Sequence, residues 1–311
     1  MYLKSLELRI VISEETGTVE SGRDLSVSCG KLGDIYVAEG RLTEAMEMYT
    51  KSLGLFKVIS EETGTVESRR DLSISYNKLG NIYEAEGRLT EAKEMYLKSL
   101  GIFKAISEET GTVESRRGLS ISYNKLGNIY EAEGRLTEAK EMYLKDLDLS
   151  KEIFEETGTV ESGRDLSISY EKLGNIYMAE GRLTEAKEMY LKSLELRKAI
   201  FEETGTVESG RGLSVSYEKL GEIYQAEGRL TEAKEMYLKD LELSEAIFEE
   251  TGTVVSYDDL AVSYYKLART FNDKQYYQKA YEIWAHLSNE CPNVAEYKRR
   301  RNIVAFILSD R

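Results

Sequence analysis

The chain is 311 residues long, 41% apolar and 32% charged, and no stretch approaches the ~20 apolar residues of a membrane span, so a membrane protein is excluded. Lys and Arg number 42 against 56 Asp and Glu, and the resulting net charge of −14 repels phosphate backbones and anionic lipid, leaving nucleic acid and membrane surfaces as poor partners. One proline (Pro292), one histidine (His286) and two cysteines (Cys29, Cys291) point to long helices and an all-α class, and leave little material for metal sites, triads or disulfides. No cofactor and no enzyme activity are expected. The opening Met-Tyr-Leu-Lys-Ser-Leu has neither the basic start nor the apolar run of an export signal, so a cytoplasmic location is expected.

In chain order, residues 1–16 read as one helix without a partner before it. Met1 falls in register with Met48, Met95, Met142, Met189 and Met236, so the chain opens in mid-repeat. The uncovered apolar face of this helix, with Leu3, Leu6 and Ile10, invites an upstream segment or another copy of the chain. Residues 17–252 form five near-identical repeats. Their period is 47: Thr-Gly recurs at Thr16, Thr63, Thr110, Thr157, Thr204 and Thr251, and Leu-Gly at Leu32, Leu79, Leu126, Leu173 and Leu220. Residues 64–110 and 111–157 share 40 of 47 positions, which points to recent duplication or deliberate consensus design; the freely diverging last unit favours duplication.

Within one repeat, Leu72, Tyr76, Leu79 and Tyr83 follow i, i+4, i+7, i+11, marking one apolar face of a helix, here helix A. Thr65 or its neighbours can cap its start, and Gly87 ends it. After a short turn Thr90 is expected to cap helix B, whose face carries Ala92, Tyr96, Leu100, Phe103 and Ile106 or Ser107 until Thr110-Gly111 stops it. The pair forms an antiparallel hairpin with one face unburied, so hairpins must stack side by side into an α-solenoid. Gly80 and Ala92 let the backbones approach while Tyr83 and Tyr96 fill the adjoining space. Residues 253–292 form a divergent sixth repeat. Residues 293–311 form an amphipathic capping helix with Val294, Tyr297, Val304 and Leu308 on one face.

Leu79-Gly80, Tyr83, Gly87, Ala92 and Tyr96 carry the spacing of the tetratricopeptide repeat, and the chain resembles a tetratricopeptide solenoid throughout. Two departures stand out. The period is 47 where the family usually shows 34, similar to the longer repeats of kinesin light chains, and the family's closing proline is absent until Ala280, Trp284 and Pro292 restore the spacing. The resemblance implies a right-handed superhelix of helical hairpins, with one face of helix A lining a concave groove for extended peptides or partner helices.

Where near-copies differ, the differences themselves are informative. Three variable positions lie at i, i+4 and i+7 on helix A, forming one stripe. They read Gly30, Asn77, Asn124, Glu171, Glu218, Tyr265; then Asp34, Asn81, Asn128, Asn175, Glu222, Arg269; then Val37, Glu84, Glu131, Met178, Gln225, Asn272. The resemblance places this stripe in the groove. Asn side chains can bond a peptide backbone, and the carboxylates from Glu171 through Glu218 and Glu222 favour a ligand carrying Lys or Arg. Arg70, Arg117, Arg164 and Arg211 lie seven residues earlier, as a charged groove flank. Their competing reading is salt bridging to acids such as Glu67 or Glu109.

Other features have plainer readings. The Glu-Glu-Thr-Gly runs are solvated helix ends, Lys298-Arg299-Arg300-Arg301 lies on the outer face of the capping helix, Trp284 belongs to the core, and Cys29 is a small buried hydrophobe. Three functions compete: a scaffold holding a peptide or partner segment in its groove, a self-assembling element joined through the N-terminal helix, and a sensing arm of a larger protein.

Overall fold

The computed structural model describes the backbone of residues 2–309 and the side chains of residues 7–309. Among the described residues every regular element is a helix. The chain divides into two compact units, Met1–Thr157 and Gly158–Arg311. The first contains α1 (Tyr2–Thr16), α2 (Val19–Ala38), α3 (Leu42–Thr63), α4 (Val66–Ala85), α5 (Leu89–Thr110), α6 (Val113–Ala132) and α7 (Leu136–Thr157). The second contains α8 (Val160–Ala179), α9 (Leu183–Thr204), α10 (Val207–Ala226), α11 (Leu230–Thr251), α12 (Val254–Phe271), α13 (Lys274–Glu290) and α14 (Ala295–Ser309). Even numbers from α2 to α12 are helices A and odd numbers from α3 to α13 are helices B. Each helix packs on its sequence neighbours within its unit, as a stack of hairpins requires.

The Thr-Gly-Thr corner closes one helix and opens the next. Thr63 bonds the Ile59 carbonyl at 2.8 Å, and its hydroxyl stands 2.9 Å from that of Ser68. Gly64 takes the left-handed conformation at φ 59°, and the Thr65 hydroxyl accepts the Ser68 N–H at 3.2 Å. Three hydroxyls thus satisfy groups that two helix ends leave open.

The start of helix B differs from the expectation. α5 begins at Leu89, one residue before Thr90, and its N-cap is Arg88, which makes no side-chain cap bond. Gly87 at φ 73° makes the turn so tight that the helix is already under way at Thr90. Arg88 instead bonds Glu91 at 2.9 Å and Glu86 at 3.3 Å, and its guanidinium lies 4.3 Å over the Tyr83 ring.

The crossing of each hairpin is very close. Ala92 and Tyr96 are fully buried, and a Cβ on Gly80 would stand 2.5 Å from the Tyr96 ring. At the C-terminal end α14 covers the cluster around Trp284, with Val304 buried and Tyr297 and Leu308 half-buried; Val294 precedes the helix and is exposed. At the N-terminal end the side chains of Leu3 and Leu6 lie outside the described residues. Ile10 packs against Cys29, Leu32 and Met48 of α2 and α3, so it faces the hairpin; Leu8, Val11 and Ile12 are the exposed apolar residues of α1. No helix among the described residues is long and apolar enough to cross a membrane.

Candidate functional site

From α2 to α10 the variable stripe of helix A lies beside the tyrosine with which helix B fills the crossing, in α12 beside Trp284, and most of its side chains have partners. In the first unit, Asp34 accepts the Tyr49 hydroxyl at 2.6 Å and the Lys78 ammonium at 2.8 Å. The Tyr96 hydroxyl lies 2.8 Å from the Asn81 carbonyl and 2.6 Å from Glu84, and Tyr143 repeats this with Asn128 at 2.8 Å and Glu131 at 2.7 Å. Asn124 donates to buried Asp146 at 3.0 Å. Asn77 is half-buried and its amide oxygen has no hydrogen-bond partner among the described residues, while Val37 is exposed.

In the second unit, Asn175 accepts the Tyr190 hydroxyl at 2.7 Å and Glu171 takes Arg197 at 2.5 Å. Glu218 pairs with Lys266, and Glu222 takes Lys219 at 3.3 Å. Gln225 accepts the hydroxyls of Tyr237 at 3.1 Å and Thr270 at 3.2 Å. Arg269 is exposed and lines a cavity of about 380 Å³ with Glu222, Gln225, Lys266 and Thr270.

Two stripe positions are half-buried against apolar neighbours. Met178 packs into the cluster of Tyr190 and Leu220, and Tyr265 lies 5.6 Å from the Trp284 ring. A large apolar side chain at the edge of a helix A face folds towards the neighbouring hairpin because burial outweighs exposure. The carboxylates also lose much of their expected field, since the invariant lysine of each repeat, at Lys78, Lys219 or Lys266, sits among them.

The arginines form a ladder between repeats. Arg70 reaches Glu114 at 2.6 Å, Arg164 reaches Glu208 at 2.8 Å, and Arg211 meets Asp259 at 3.2 Å because residue 255 is valine. Salt bridging was expected, but the partners differ: Glu67 takes Arg23 and Glu109 takes Arg69. The Glu one repeat further on stands nearer than the one on the same turn. Arg117 also has a partner.

Buried tyrosines hold the polar groups in place. Burial and the neighbouring carboxylates raise the hydroxyl pKa of Tyr96 and Tyr143 far above the ordinary value, and Tyr237 is pushed up to about 12 by burial and the charge of Glu222. These hydroxyls therefore remain donors. Each hydroxyl has one proton to give: Tyr190 gives it to the amide oxygen of Asn175, fixing that amide with its two N–H bonds available to a third group, whereas at Tyr96 and Tyr143 the amide oxygen of Asn81 or Asn128 shares it with Glu84 or Glu131.

One row escaped the sequence reading. Val27, Ile74, Ile121 and Ile168 are 36–41% exposed, each three residues before the first variable position and on the same side of helix A. They do not vary in character, so a search for variation passes over them. The available signal was position: Ile74 lies two residues from Leu72, about 200° round the helix from the core face.

The remaining features are structural. The Trp284 indole donates to Asp258 at 2.7 Å, and Asp258 also takes Arg300 at 2.9 Å, so the basic run of α14 is not wholly outward-facing. His286 is exposed and meets Tyr257 edge-on at 5.7 Å. Cys29 is buried, and burial pushes its thiol up.

Comparison with known proteins agrees with this architecture. Two profiles of the tetratricopeptide repeat match the chain, one over residues 71–145 and the other over 27–57, 168–200 and 215–247, together more than half of its length. No functionally curated protein matches the sequence. Among solved structures, the apo form of RapI is similar with a TM-score of 0.64 at 15% identity, over 99% of this chain and 79% of that one. BtubC from P. vanneervenii gives 0.61 at 20% identity, over 79% and 89%. A candidate kinesin light chain of Podosopora anserina with nearly identical TPR-like repeats gives 0.52 at 26% identity, over 72% and 95%.

Proposed function

Because the chain belongs to the tetratricopeptide repeat family, we propose that it is a non-enzymatic scaffold that holds a peptide or partner segment along the helix A faces. The observation that carries this reading is the coincidence on one face of an exposed aliphatic row with amides held by buried tyrosines. Ile74 and Ile121 offer apolar contact, and Asn81 and Asn128 present N–H groups to a peptide carbonyl. Asn77, Asn124, Asp34, Val37, Glu84 and Glu131 border this strip in the first unit. In the second, Glu171, Asn175, Glu218, Glu222, Gln225 and Arg269 border it, with Glu171, Glu218 and Glu222 each paired to a cation of the chain, while Arg70, Arg164 and Arg211 act first as ties between repeats.

Panning a random peptide library against the protein tests this. A variant carrying Ile74→Ser, Asn81→Ala, Ile121→Ser and Asn128→Ala should keep its helix content and lose the peptides that the parent enriches. Equal enrichment by both proteins would refute the reading. A second reading, self-association through α1, is favoured by the exposure of Leu8, Val11 and Ile12. Sedimentation should then show a concentration-dependent mass that Leu8→Ser with Ile12→Ser abolishes.

A further inference from the structure

One position in the 47-residue register fills the space between consecutive helices A. In order it carries Arg9, Phe56, Phe103, Ser150, Arg197 and Ser244. The two arginines fill it in the same way. Arg9 donates to the Asp24 carbonyl at 2.8 Å and the Ser28 hydroxyl at 2.7 Å. Arg197 donates to the equivalent Gly212 carbonyl at 3.0 Å and Ser216 hydroxyl at 3.3 Å, and also to Ser167 at 3.2 Å and Glu171 at 2.5 Å. A guanidinium therefore has a defined seat at this junction, with acceptors for Arg197 on both flanking helices A, α8 and α10.

One repeat later, between α10, α11 and α12, every acceptor recurs. Ser214, Glu218, the Asp259 carbonyl and Ser263 stand where Ser167, Glu171, the Gly212 carbonyl and Ser216 stand around Arg197. The filler there is Ser244, and these groups line a cavity of about 220 Å³ with Val215 and Val262 at its walls. Two carboxylates are added. Asp240 replaces Ser193, and Asp259 replaces Gly212. Asp240 is 2% exposed, and its charge is met by the Ser214 hydroxyl, while Lys266 is paired with Glu218 and Arg211 with Asp259. A buried carboxylate without a cation is costly. Throughout the array the aspartate accompanies only a serine filler: Asp146 with Ser150 and Asp240 with Ser244, against serine wherever the filler is Phe or Arg.

We propose that this cavity is a subsite for the guanidinium of an arginine side chain on a bound peptide, which completes from outside the arrangement that Arg197 completes from within. Arginine fits better than lysine because its planar fork reaches acceptors on two flanking helices at once, as Arg197 does with α8 and α10, whereas an ammonium is a point charge. The valine walls accommodate the methylene stem. The inference deepens the scaffold reading and rests on it for the source of the arginine.

The test uses N-acetyl-arginine amide and its neutral isostere N-acetyl-citrulline amide, followed by amide NMR shifts on the full chain. Saturable shifts centred on Ser214, Asp240 and Ser263 are expected with the arginine probe, and at least tenfold weaker binding with citrulline. Ser244→Arg should abolish the response by seating its own guanidinium, and Asp240→Ser should weaken it at least tenfold; if the first variant fails to fold, the second carries the comparison. Equal binding of both probes, or an undiminished response in a folded variant, would overturn the subsite. Panning the same library separates the two ideas. Peptides enriched without arginine would leave the scaffold standing and remove the subsite, whereas a bound arginine probe with no enriched peptide would do the reverse.

Discussion

A methyl group added at Gly80 would stand 2.5 Å from the Tyr96 ring, whereas one added at Gly101 would meet nothing within 4 Å. Gly80→Ala should therefore destabilise by about 1–3 kcal/mol through overpacking. Gly101→Ala, in an exposed helix interior, should stabilise by about 0.5–1 kcal/mol. Thermal denaturation reads both, and a Gly80→Ala protein that melts with the parent would argue against so close a crossing. Asp240 gives a prediction of the opposite kind. Burial pushes its carboxyl from 3.8 up to about 6 against the hydroxyls of Ser214 and Ser263, with Glu218, Arg211, Asp259 and Lys266 facing it from α10 and α12. The native state thus holds the proton more tightly than the unfolded chain, so this group makes stability fall as pH rises from 3.8 towards about 6 and leaves it lower above that window. The cost is on the order of 3 kcal/mol. Asp240→Asn should flatten the dependence, as measured by denaturant midpoints on either side of the window.

At the scale of the element, the two helix starts of one repeat are built differently although both lie near a threonine. Thr65 caps α4 through its side chain, while Thr90 lies inside α5 and caps nothing. Thr65→Ala should cost about 1 kcal/mol, and Thr90→Ala should leave the melting temperature nearly unchanged. Equal effects would mean that the helix B boundary is misplaced. The ladder from Arg70 to Glu114 and from Arg164 to Glu208 links neighbouring helices A at exposed sites. Its members contribute orientation more than stability, because exposed ion pairs are worth about 0–1 kcal/mol each and are screened by salt.

Across the whole molecule, each helix contacts chiefly its sequence neighbours within its unit, so perturbations should stay local. Removing α14 uncovers the cluster around Trp284, Leu287 and Ile283. Hydrogen exchange should then quicken in α12 and α13 and remain unchanged in α2 to α5. Loss of protection throughout the chain would instead indicate a single cooperative body.

The sequence by itself determined the helices, their pairing and the repeat length, because period 3.6 apolar spacing and the glycines of the Thr-Gly and Glu-Gly-Arg turns act over a few residues and were copied with each unit. It also determined which helix A positions vary. Tertiary structure decided what those positions do: Asn81 and Asn128 meet a tyrosine from the facing helix, Met178 and Tyr265 are half-buried against apolar neighbours, and Arg70 reaches past Glu67 to the next repeat. Each of these depends on distances between segments 12 to 44 residues apart, which a pattern along one helix does not contain. The filler position shows the division most plainly. Its run of Arg, Phe, Ser reads as drift in the sequence, and only the packing of three helices makes it the plug of a cavity.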